Sequence, residues 1–139
     1  MRESAGLMLT TNTADTDAAV LAADVVTVLG AHRHRGVNEK QIQDSVQRVL
    51  AAAGLVFSRE HALSAQDRPD FLVDGGVVVE VKMKASRSMV LMQLGRYAAH
   101  DQVAALVLAS PRLTVVAGMP DSIHGKPVRV VQLPGVGLA

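Results

Sequence analysis

The chain of 139 residues contains no cysteine, which excludes a disulfide framework and any thiolate metal site and fits a cytoplasmic protein. Aromatic residues are nearly missing too, with Phe57, Phe71 and Tyr97 as the whole set. A core must therefore be aliphatic, built from Val, Leu, Ala and Met, and few rings are on hand to stack against bases. No apolar run approaches the roughly 18 residues of a membrane span, so no membrane partner is expected. The first residues carry acids among Thr and Ala without a compact apolar segment, so no signal peptide is expected either. Nor is there an excess of one charge. With a net charge of +1, any grip on nucleic acid must come from local clusters such as His32-Arg33-His34-Arg35 or Lys82, Lys84 and Arg87.

What is present is 49% hydrophobic residues in a length suited to one domain. Residues 1–13 have no period and read as a mobile leader. From Ala14 to Leu29, apolar residues at 18, 21, 22, 25, 28 and 29 recur at helical spacing, with Thr13 or Thr16 as a cap and Gly30 as a stop. This helix is read with the leader as an accessory segment, 1–35, for packing or dimerisation. The polar connector 32–36 is either a solvated linker or a phosphate-contacting patch. The main domain, 36–135, opens with a helix capped by Asn38, with Gln41 as its capping-box partner and Ile42, Val46, Val49, Leu50 and Ala53 as its apolar stripe. Glu39 shares that stripe. It is either an acid favoured by the helix dipole or a group aimed at a site.

Strands are expected over Leu55 to His61 and Phe71 to Val73. A tight hairpin at Asp74-Gly75-Gly76 then leads into a strand over Val77 to Met83. Residues two apart in a strand point the same way, so Glu80 and Lys82 share one face and Val77, Val79, Val81 and Met83 the other. A charged pair in so β-prone a run has a desolvation cost that something must offset. Folding the hairpin back lays Asp70 beside Glu80. A helix from about Met89 to Asp101 puts Gln93, Tyr97 and His100 on one side, and its Gly95 implies close packing against the sheet. Strands are then expected over Val103 to Ala109, Leu113 to Ala117 and Val128 to Leu133, with a frayed tail after Pro134. The fold class is α/β, an αβββαβ core with a mixed sheet flanked by helices.

Pro69-Asp70, nine intervening residues and then Glu80-Val81-Lys82 resemble the PD-(D/E)xK nuclease superfamily, the restriction-endonuclease-like fold. Gln93 and Tyr97 at i and i+4 resemble the QxxxY extension of its RecB and lambda-exonuclease-like branch. Glu39 sits where archaeal Holliday-junction resolvases and VRR-NUC-like nucleases carry a further acid. The resemblance covers roughly residues 36 to 110.

It implies a DNA-cleaving phosphodiesterase, resolvase-like endonuclease or end-processing exonuclease, working as a homodimer so that one site cuts each strand. Magnesium, or manganese, keeps several waters and is held by a few oxygens. Asp70, Glu80, the Val81 carbonyl and Glu39 are the implied set. Lys82 is expected to position water and stabilise charge rather than act as a base, because adjacent carboxylates favour its charged form. Roles for Gln93 in orienting water and for Tyr97 in touching phosphate rest on the resemblance alone. Arg33, Arg35, Lys84, Arg87 and Arg96 are the candidate contacts to the DNA backbone. Other readings stay open beside these: a surface pair for Glu80 and Lys82, a turn-favouring Asp for Asp70, a core role for Tyr97, and Asp67 or Glu60 as alternative acids. The rival class is a non-catalytic module that keeps the fold and binds nucleic acid or a protein partner.

Overall fold

A computed structural model describes residues 16–135 in full, the side chains before residue 16 and the last four residues excepted. The side chains of the expected leader and of the Thr13 cap lie outside the described residues. The chain runs α1 (Arg2–Gly30), α2 (Glu39–Ala52), β1 (Phe57–Arg59), β2 (Phe71–Val73), β3 (Val77–Val81), α3 (Arg87–Ala98), β4 (Ala105–Ser110), α4 (Leu113–Val116), β5 (Ser122–Ile123) and β6 (Lys126–Gln132). The strands form one mixed, open, six-stranded sheet in the order β1-β2-β3-β4-β6-β5. β1, β2 and β3 are antiparallel neighbours, β4 and β6 run parallel to β3, and β5 closes the far edge antiparallel to β6.

Side-chain alternation divides the core between the two faces of the sheet. Val77, Val79, Val81, Ala105, Val107 and Ala109 turn toward α1 and α2, where Ala22, Val25, Leu29, Ile42, Val46 and Leu50 complete an apolar layer. Val78, Leu106 and Leu108 turn the other way, onto Val90, Leu94, Tyr97 and Ala98 of α3 and Val115 and Val116 of α4. Burial on both sides explains why β3 and β4 read as continuous apolar runs rather than alternating ones. The buried stripe of α1 belongs to the same core as α2 and the sheet. Thr16 lies within this helix and is not its cap.

Several local expectations meet a different outcome. The Asn38 side chain accepts the Gln41 amide at 2.9 Å, as a cap should, but the Gln41 side chain accepts the Val37 amide at 2.7 Å, one residue before the cap. The stretch 113–117 is a helical turn, not a strand. Pro111 cannot extend the β4 ladder, and Val115 and Val116, adjacent in sequence, are both buried on one side, which strand alternation forbids. His34 is not solvated. It is fully buried, with Nε2 donating to the Leu29 carbonyl at 2.9 Å and Nδ1 2.9 Å from Ser45 Oγ, and so clasps the end of α1 to α2. Burial lowers its pKa, so its ring is neutral and Nδ1 accepts from the serine hydroxyl. A Cβ added at Gly95 meets nothing within 4 Å, so close packing is not what this glycine serves.

Candidate functional site

The turn that joins β2 to β3 sets the register of the site. Gly75 and Gly76 adopt positive φ, the Gly76 amide donates to the Val73 carbonyl at 3.0 Å, and Val73 pairs with Val77. Counting away from the turn, Phe71 faces Val79, so the next pair outward is Asp70 and Glu80. The two residues are tied crosswise. The Asp70 amide donates to Glu80 Oε1 at 3.0 Å, and the Val81 amide donates to Asp70 Oδ2 at 2.8 Å. Lys82 follows at the end of β3, its amide continuing the parallel ladder to Ala109 and its Nζ lying 3.2 Å from Glu80 Oε2. Glu39, on the first turn of α2, accepts the Met83 amide with Oε1 at 3.1 Å. The helix that opens the core thus abuts the carboxyl end of β3.

Little water reaches this cluster. Glu80 is 2% exposed, less than many of the alanines, and Asp70 is half-buried. Burial is the main reason that the Asp70 carboxyl is pushed up to about 6, the Glu39 charge adding to it against the Val81 amide and Lys82. Burial and then the Asp70 charge push Glu80 up to about 7, with Lys82 acting in the opposite sense. Two acids that resist ionisation near neutrality form a donor set that a divalent cation suits: hard oxygens whose mutual repulsion it would relieve, each retaining lone pairs beyond the one hydrogen bond it accepts. Among the described residues no three His, Asp or Glu side chains already converge as a cage.

One supporting residue, Gln43, was not anticipated, and the alternative acid Asp67 falls elsewhere. Gln43 Nε2 donates to Asp70 Oδ1 at 3.1 Å, while its Oε1 accepts from Arg59, whose guanidinium also binds Asp44 and Gln47. The signal for Gln43 was its spacing, one helical turn after Glu39. Asp67 is buried, held by His100 Nε2 at 2.8 Å and Arg96 Nε at 3.1 Å, and chiefly the histidine bond lowers its pKa. It therefore sits in a separate network with its charge already matched.

Tyr97 is 1% exposed and packs in the α3 core, its hydroxyl donating to the Arg68 carbonyl at 3.5 Å. Burial, with the Glu80 and Asp70 charges after it, raises its pKa, so the phenol stays protonated. Gln93 neighbours that hydroxyl and lines a cleft with Lys82 and Arg96. Arg33 and Arg35 are exposed on the α1–α2 connection, Lys84 on the β3–α3 connection and Arg87 in the first turn of α3.

Comparison with protein-family models, with curated proteins and with solved structures finds no match. Any functional reading therefore rests on the geometry of the site. No described helix is long and apolar enough to cross a membrane.

Proposed function

We propose that the chain is a metal-dependent nuclease of the PD-(D/E)xK type. The observation that carries this reading is the crosswise pairing of half-buried Asp70, just before β2, with buried Glu80 on β3, with a lysine at one end. Element order supports it: α2, three antiparallel strands, α3 and a strand parallel to β3 run in an αβββαβ order, which is compatible with that type. So does location, since the acids lie at the carboxyl end of β3, where open α/β sheets place ligands.

Asp70 and Glu80 would hold magnesium or manganese, with Glu39 and the Val81 carbonyl next in reach. A bound divalent ion supplies Lewis-acid polarisation and an acidified water. The chain's own residues do the rest. Lys82, anchored by Glu80, brings positive charge to the phosphate and a donor to the attacking water. Gln43 and the Val81 amide fix both oxygens of Asp70, so its carboxylate is oriented before substrate arrives. Gln93, beside Lys82, orients water. Tyr97 supports the α3 wall. DNA is the substrate, gripped through its backbone by Lys84, Arg87 and Arg96 near the site and by Arg33 and Arg35 beyond α1, and a pair of chains would bring one site to each strand.

The test is incubation with labelled linear, branched and single-stranded DNA and either metal, with Asp70→Ala and Lys82→Ala alongside. Wild type is expected to cleave at least one substrate, and each variant to lose 100-fold or more, about the contribution of one positioned charge. Cleavage persisting in both variants, or absent from wild type on every substrate, removes the enzyme. One observation favours a second reading, a non-catalytic binding module: all four oxygens of Asp70 and Glu80 already accept protein donors. Binding without cleavage is its signature.

A further inference from the structure

Beside Lys82, a cleft of about 210 Å³ is lined by Ala85, Met89, Met92 and Arg96. It is smaller than the roughly 300–1,000 Å³ that takes a compact drug-sized ligand. Its volume suits one unit of a chain instead. Met89 and Met92 stand three apart on the helix and are 67% and 66% exposed, two neighbouring apolar side chains open to solvent on one cleft wall. Thioethers are polarisable and adaptable, and they pack favourably on flat aromatic surfaces whatever the substituents at the edge. Arg96 is held from behind. Asp67 takes its Nε at 3.1 Å while His100 fixes the other Asp67 oxygen at 2.8 Å, and the terminal amino groups of the guanidinium make no hydrogen bond among the described residues. Those two groups are the fork that grips a phosphate. An apolar wall with two cations in its lining matches a nucleotide, which has a flat base between charged linkages.

Building on the nuclease reading, we propose that this cleft receives one unpaired nucleotide next to the scissile phosphate. Its base lies against Met89 and Met92, its phosphate meets Arg96, and Lys82 is shared with the acid pair. A base held in a duplex stack cannot present its face to a helix side chain. The cleft therefore selects single-stranded ends or junction arms over continuous duplex. Asp67 and His100 act as positioning residues for Arg96.

The test is fluorescence anisotropy with a labelled oligothymidylate and with a blunt duplex of equal length, in EDTA so that nothing is cleaved. Wild type is expected to bind the single strand more tightly. Met89→Ser with Met92→Ser should weaken that binding roughly tenfold and leave duplex binding unchanged, while the Met→Leu pair restores it. Arg96→Gln should lower single-strand affinity and reduce the dependence on log salt by about one. Circular dichroism melts check the fold of each variant. Equal or tighter duplex binding by wild type, no binding at all, or a serine pair indistinguishable from wild type overturns the proposal. If wild type cleaves DNA and the serine pair binds as before, the cleft fails and the nuclease stands. If the serine pair loses binding but wild type cleaves nothing, the nuclease fails and the nucleotide cleft stands.

Discussion

The two ends of β3 are equally buried and opposite in character. Val77, Val78 and Val79 are sealed between helices on both sides, with Phe71, Val107 and Leu106 around them. Fully burying each such side chain stabilises the fold by about 1.5–3 kcal/mol. One residue further along, Glu80 is as dry as its neighbours but brings a carboxyl, a second acid opposite and a lysine next door. Burial stabilises the first end and raises the pKa of both acids at the second. The hydrogen bonds and Lys82 offset only part of that desolvation, because both carboxyls remain shifted upward. Stability therefore accounts for the valines and not for the acids, which the proposed cation site would explain.

The largest effect tests the sealed layer. Leu106→Ala, whose residue pairs with Val78 on the neighbouring strand and is fully buried, should cost about 2–5 kcal/mol in urea unfolding. A loss below about 1 kcal/mol would mean that this layer is loosely packed and that the contrast is false. Next comes the acid end. A folded pKa raised above the unfolded value gives stability that is present below the unfolded pKa and lost as pH rises through the folded one. Glu80, at about 7 against 4.5, thus weakens the fold progressively between those values. Glu80→Gln should be more stable than wild type at pH 8 by about 1–3 kcal/mol, with the difference shrinking toward pH 4.5. A variant less stable than wild type at pH 8 would show that the carboxylate is well compensated.

His34 carries the opposite sign. Its pKa is lowered, so its contribution is complete above 6.5 and is lost as pH falls through the folded value. His34→Gln should cost about 1–3 kcal/mol at pH 8 and remove that part of the acid-side loss, as read from urea midpoints across pH. Without such a change in slope, the clasp would be neutral packing alone. The smallest effect is Gly95→Ala. The added methyl meets open space, so thermal melting should show a gain of about 0.5–1 kcal/mol.

What could be read from sequence was what depends on counting. The hairpin glycines fix where β2 folds back, and from there Asp70 falls opposite Glu80 by arithmetic. The Asn38 cap and the stripe of α2 follow from spacing in the same way. What escaped depends on partners far along the chain. His34 sits in a run of His and Arg that looks solvated, and only the meeting of Leu29 with Ser45 makes a dry socket for it. Gln43 was visible one turn from Glu39, but its bond to Asp70 spans 27 residues. At 113–117 the valines carried β propensity into a segment that packs as a single helical turn, where tertiary contact overrides preference. β5 is two residues long, too short for any period to register.

The most direct measurement is the urea midpoint at pH 8 with and without millimolar magnesium, for wild type and for Asp70→Asn with Glu80→Gln. A cation that binds only the folded state stabilises it by about 2.7 kcal/mol at a hundred times its dissociation constant. Wild type should rise toward that figure and the double variant should not move. No rise in wild type with magnesium or manganese, or an equal rise in both proteins, would contradict the account that the dry end of β3 is built to hold a divalent ion.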